Sequence, residues 1–152
     1  MTTWLQKVPI TDSTKYTTFV VSTLGGANGP FYNGNDTANG YGFYRGNTAD
    51  YGLKYGGQTD LTFGPAQKSG FQLQEAVSDG TVTTFYHNGR RSGKPITVTP
   101  LAPGASDLSS VGGISATQLF QGNIAAVVVF DHALSQAERQ QVERYLTQKY
   151  NL

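Results

Sequence analysis

The sequence predicts an all-β fold, a two-sheet antiparallel β-sandwich with one C-terminal α-helix, and three observations carry that prediction. Nineteen glycines, nine tyrosines and eight phenylalanines stand against only 14% charged residues, a balance that suits short strands and tight turns better than a helical bundle. Aromatic and β-branched runs are punctuated by Asn-Gly, Asp-Gly and Gly-Gly pairs, which are turn formers. Near the C-terminus the hydrophobic period shifts to three and four residues, the period of a helix.

Taken in order, Trp4 to Ile10 alternates between apolar and polar and stops at Thr11-Asp12-Ser13, which reads as a first strand and turn. Tyr16 to Leu24 is richer in β-branched and aromatic residues and is closed by Gly25-Gly26. Between Asn28 and Gly57 three short strands are expected around Phe31-Tyr32, Tyr41 to Tyr44 and Tyr51 to Tyr55. Phe71 to Val77 and Thr81 to His87 form a hairpin about Asp79-Gly80, where glycine supplies a positive φ, and Asn88-Gly89 marks the next turn. Ile96 to Leu101 and Leu108 to Gly113 read as strands, with 103–106 as loop. Ile124 to Phe130 is apolar without alternation, so both of its faces are expected to be covered, deep in the sandwich. Ser135-Gln136-Ala137-Glu138 is a capping box that starts a helix running to about Lys149. Val142, Tyr145, Leu146 and Lys149 define its inner stripe, leaving Arg139, Gln140, Glu143 and Arg144 to water.

At 152 residues the chain is expected to form one domain, 1–152. Eleven basic residues balance ten acidic ones to a net charge of +1, which provides no long-range field for nucleic acid. The absence of cysteine excludes disulfides and thiol chemistry. The longest strongly apolar stretch, 124–130, is too short to span a bilayer, and Met1 to Lys7 lacks the pattern of a secretory signal peptide. The chain is therefore expected to remain where it is made, to leave by lysis, or to derive from a larger protein.

The stretch Phe120 to Ser135, FQGNIAAVVVFDHALS, closely resembles the F-x-G-x-I-A-E-V-x-V-Y-D-x-A-L-S strand and turn that end laminin G-like and pentraxin-like domains. Ala137-Glu138-Arg139, Tyr145-Leu146 and Lys149-Tyr150 look like the helical tail of bacterial and phage members. Tyr16 to Val21 is similar to an early strand of that family, and Val82 to Gly89 to its strand with a Y-x-N-G turn. The resemblance implies a concanavalin A-like jelly roll. A Trp-Asp segment that many bacterial members carry near the front is missing. Apart from resemblance, Gly122 allows a tight entry into the apolar strand, and Asp131 is placed to cap the turn where that strand ends.

Enzymes of this fold hydrolyse glycosidic bonds with paired carboxylates, spaced E-x-D-x-x-E along one strand, and that spacing is absent. Of the three glutamates, Glu138 and Glu143 fall on the predicted helix, and Glu75 has only Asp79 nearby, in a turn. His87 is expected at an exposed strand end and His132 in a turn, neither with a catalytic neighbour. No catalytic residues are assigned. Calcium is the one cofactor considered: Asn33, Asn35, Asp36 and Asn39 crowd one loop, but a single carboxylate gives little charge for binding, and these are also ordinary turn residues.

The better functional lead is aromatic. Tyr41, Tyr44, Tyr51 and Tyr55 offer flat rings with polar tips that either stack on sugars, anchor a protein partner, or pack the core. Tyr51, Leu53 and Tyr55 share one face of their strand. Arg45, Arg90 and Arg91 are expected to add hydrogen bonds to a glycan or a protein. The expected role is a non-catalytic binding or assembly module on a phage-type virion surface, as capsid decoration or tail component, with glycan adhesion and self-association as further options. The alternative is a carbohydrate-binding module of a larger extracellular bacterial protein. Neither nucleic acid nor membrane is an expected partner.

Overall fold

A computed structural model describes residues 14–23, 29–34, 41–45, 50–55, 58–65, 70–97, 108–111, 113–115, 118–120 and 122–152. Twelve strands and one helix make up these residues. The first sheet has the order β12-β1-β6-β7-β8 and contains β1 (Lys15–Thr23), β6 (Phe71–Asp79), β7 (Val82–His87), β8 (Arg90–Thr97) and β12 (Ile124–Phe130). The second has the order β5-β4-β3-β2-β9, with β2 (Gly29–Gly34), β3 (Tyr41–Arg45), β4 (Asp50–Tyr55), β5 (Gln58–Pro65) and β9 (Leu108–Val111). A small pair, β10 (Gly113–Ser115) and β11 (Gln118–Leu119), stands beside them, and every pairing is antiparallel. The sheets approach each other along β5 with β8 and β12 with β2.

The helix, α1 (Gln136–Tyr150), forms a third layer on the outside of the first sheet. Phe19, Val21 and Leu73 project from that sheet into one cluster with Leu134 and Leu146, and Ala126, Val128, Phe130, Val142 and Tyr150 pack around it. Phe19 and Phe130 meet edge to face at 6.1 Å. On the opposite face of β1 and β6, Tyr16, Thr18, Val20, Gln74 and Ala76 are also buried. Among the strands whose burial is described, β1 and β6 are thus covered on both faces, although both mix polar with apolar residues.

This corrects the reading of the valine-rich strand. β12 pairs with β1 alone among the described residues and is half-buried along its whole length, so it lies at an edge of its sheet. Its unbroken apolar run is used differently from expectation. Alternate residues meet α1, and two hydrogen bonds hold the start of the strand. Thr23 N donates to Asn123 O at 2.9 Å, and Tyr150 Oη donates to Ala125 O at 3.1 Å.

Entry and exit of β12 follow from single residues. A Cβ on Gly122 would come within 2.9 Å of the Phe120 ring and 3.0 Å of the Thr23 carbonyl oxygen, so the close approach requires glycine. At the exit, Thr17 Oγ1 donates to His132 O at 3.0 Å and accepts from Leu134 N at 2.8 Å. Thr17, rather than Asp131, pins that turn; Asp131 is exposed and its carboxylate bonds the His132 ring at 3.0 Å.

Helix α1 begins as its sequence predicts. Glu138 N donates to Ser135 Oγ, while Ser135 N donates to the Glu138 carboxylate at 2.9 Å, closing the capping box. Its inner stripe differs from expectation. Arg139, Val142, Leu146 and Tyr150 face the sheet, whereas Tyr145 is 57% exposed. Further differences concern strands: β5, β11 and most of β10 lie where no strand was expected, and β8 begins at Arg90, directly after the turn, rather than at Ile96. The expected first strand, Trp4 to Ile10, and the loop 103–106 lie outside the described residues.

Candidate functional site

The hairpin of β7 and β8 organises the described surface. Asn88 and Gly89 form its two-residue turn with φ of 49° and 74°, both in the left-handed region that a type I′ turn requires. The turn is anchored to the neighbouring strand, since Asn88 N donates to Leu73 O at 2.8 Å and Asn88 Oδ1 accepts from Leu73 N at 2.9 Å. Beyond the turn the register runs His87↔Arg90, Tyr86↔Arg91 and Phe85↔Ser92, then shifts before Thr83↔Ile96. Gly93, with φ of 68°, sits in that bulge. Arg90, Arg91 and Ser92 are therefore a three-residue stretch held between a fixed turn and a bulge on an edge strand.

Two clefts adjoin this turn and share Asn88. One of about 480 Å³ is lined by His87, Asn88, Arg90, Arg91 and Ser92. The other, about 310 Å³, lies between the turn and α1, where Glu143, Arg144, Thr147 and Gln148 contribute. Arg90 and Arg91 are exposed, and among the described residues neither forms an ion pair with a carboxylate. His87 is half-buried rather than exposed as expected. Its Nε2 lies 2.8 Å from Gln72 Oε1, and burial lowers its pKa, which favours the neutral ring.

Beneath α1 lies a second polar cluster that the sequence did not reveal. Arg139, placed in water by its spacing, is 6% exposed. Its guanidinium donates to Glu75 Oε2 at 2.9 Å and to Glu143, and stacks 3.7 Å above the Tyr86 ring centroid. Burial, reinforced by hydrogen bonding and repulsion from Glu143, pushes the Glu75 carboxyl up to about 8, against the opposing pull of Arg139. One cation between two carboxylates leaves excess negative charge in a dry site, and holding a proton removes it. The signal that could have paired Glu75 with Arg139 was absent because the partners lie 64 residues apart.

The tyrosines expected at a binding surface fall on adjacent strands. Across β3 and β4, Tyr41 stands opposite Tyr55 and Arg45 opposite Tyr51, with Tyr44 opposite Gly52. Arg45 and the tyrosines thus belong to the second sheet, and Arg90 and Arg91 to the first. Of the calcium candidates, Asn33 lies in β2 opposite Gly42, while Asn35, Asp36 and Asn39 lie outside the described residues. Among the described residues no three His, Cys, Asp or Glu side chains gather as metal ligands.

Two five-stranded antiparallel sheets and a C-terminal helix define a β-sandwich of the jelly-roll class. Solved structures share this fold at low identity. Domain 4 of an extracellular arabinanase of Geobacillus stearothermophilus, in complex with arabinotriose, matches with a TM-score of 0.70 and 15% identity, over 90% of this chain and 71% of that one. A heptameric pentraxin of Limulus polyphemus matches with a TM-score of 0.67 and 16% identity, over 92% of this chain and 73% of that one. Trypanosoma rangeli sialidase matches with a TM-score of 0.67 and 17% identity; the match covers 89% of this chain but only 23% of the sialidase. No family model and no curated protein matches the sequence.

Proposed function

We propose that this chain is a non-catalytic glycan-binding module with a laminin G-type sandwich. The observation that carries the reading is the pair of adjoining clefts about the Asn88–Gly89 turn, of about 480 and 310 Å³, the larger of them mainly polar. Those volumes fall in the range of small-molecule sites, and their linings offer amide, hydroxyl and guanidinium groups to hydroxylated ligands. The arabinanase domain, described with a bound arabinotriose, supplies a precedent for sugar binding on this fold. The Phe120 to Ser135 pattern supports the laminin G type.

A hydrolytic role fits poorly. Glu75 and Glu143 come together, but both are engaged by one buried arginine under α1, whereas glycoside hydrolysis needs two carboxylates across an open groove with the sugar between them. Attachment to a virion gains no support from the fold or the likenesses. An extracellular setting within a larger protein accords with a binding module. Strands β3 and β4, which carry the tyrosines, are a second candidate region, on the other sheet.

A glycan array probed with the purified chain tests the reading, with Arg90→Ala/Arg91→Ala and Tyr51→Ala/Tyr55→Ala variants run beside it. Saccharide binding that weakens in either variant is the expected result and locates the surface. Silence of the wild-type chain across the array would overturn the proposal.

A further inference from the structure

We infer that the cleft between the Asn88–Gly89 turn and the β8 bulge receives the carboxylate of an acidic sugar, an inference that rests on the glycan-binding reading and names its ligand class. The chemistry follows from what is paired and what is not. Arg139 has two carboxylates and an aromatic ring around its guanidinium. Arg90 and Arg91 line the cleft, are exposed, and meet no carboxylate among the described residues. Neighbouring strand residues leave the backbone on opposite sides, so two arginines in succession at a sheet edge straddle it. A guanidinium presents parallel N–H donors that match the two oxygens of a carboxylate, a geometry that a neutral hydroxyl cannot use.

The rest of the cleft favours one anion set among neutral groups. Asn88 Oδ1 is committed to Leu73 N, which fixes its carboxamide and turns the remaining capacity of that group toward donation. Ser92 adds a hydroxyl. His87, its pKa lowered by burial, adds no positive charge at neutral pH. The adjoining cleft carries Glu143 with Arg144 and the neutral Thr147 and Gln148, so positive charge does not continue along α1. An extended polyanion would need such a continuation, and the net charge of +1 does not provide it. A single carboxylate on a sugar, with an uncharged sugar reaching the second cleft, satisfies both.

The same arginines, with Lys94 and Pro95, would also serve to keep β8 from pairing with another sheet edge. Titration calorimetry with two matched pairs separates the roles: trigalacturonate against its methyl ester, and sialyllactose against lactose. The expected result is that at least one acidic member binds about tenfold or more tighter than its neutral counterpart. Added salt weakens that binding, Arg90→Ala/Arg91→Ala abolishes the preference, and Arg90→Lys/Arg91→Lys restores it only in part. Which pair responds distinguishes a uronate from a nonulosonate. Equal binding of acidic and neutral members, or a preference untouched in Arg90→Ala/Arg91→Ala, overturns this inference and leaves the glycan-binding module standing. Binding of none of the four, with silence on the array, overturns both. Self-association of the alanine variant without any saccharide binding by the parent chain assigns the arginines to edge protection instead.

Discussion

Glu75 is the residue on which the outer face of the first sheet turns. Its side chain is fully buried, Arg139 reaches it from α1 at 2.9 Å, and Tyr86 supports the guanidinium from β7. Three elements are therefore joined through one carboxyl. Removing it leaves an arginine in a dry site with only Glu143 as partner. Because Glu75 holds its proton and Glu143 balances the Arg139 charge, the removal of Glu75 costs a buried hydrogen bond and leaves an arginine donor unsatisfied, about 1–3 kcal/mol. Glu75→Ala is expected to lose about that much in urea denaturation, whereas Glu75→Gln, which keeps the shape and a hydrogen-bonding group, loses clearly less. Equal losses in the two variants would mean that packing, not the polar contact, holds the helix.

At the scale of elements, the helix shows what the sequence disclosed and what it withheld. Its start was legible because a capping box is local: Ser135 and Glu138 lie three positions apart and bond each other directly. Ser135→Ala is expected to lower stability by about 1 kcal/mol, read as a shift in the urea midpoint with an unchanged slope. A larger loss with a changed slope would instead mean that α1 detaches as a unit. The inward face of the same helix was not legible. Spacing assigned Arg139 to water, since a charge is placed there unless a partner is known, and Glu75 is remote in sequence. β12 shows the same division. Its bounds were readable from the run Ile124 to Phe130, but an unbroken apolar run reports cover without saying whether a sheet or a helix supplies it. β5 escaped notice because Gln58 to Pro65 mixes polar residues, glycine and proline with only two strongly apolar side chains. The Arg90–Arg91 pair was singled out from residue type, while the cleft around it depends on a bulge that the sequence does not announce.

For the whole molecule, burying ionisable groups in the first sheet makes stability depend on pH, and two of those groups act in opposite directions. The His87 pKa is lowered, so below the unfolded value of 6.5 the unfolded chain binds the extra proton and folding weakens as pH falls. The Glu75 pKa is raised from 4.5 to about 8, so over that interval the folded chain holds a proton that the unfolded chain has released. Its contribution is complete below about 4.5 and is lost as pH rises through about 8. Below 6.5 the two effects offset each other; between about 6.5 and 8 Glu75 acts without His87. Stability in urea should therefore fall across that upper interval, at a limiting slope of about 1.4 kcal/mol per pH unit for one proton. Glu75→Gln cannot titrate and should flatten the profile there, while below 6.5 it should expose the decline from His87 that Glu75 offsets in the parent chain. A parent chain whose stability is level or rising from 6.5 to 8 would show that Arg139 holds Glu75 ionised in the fold, and the cluster would then be a salt bridge without a stored proton.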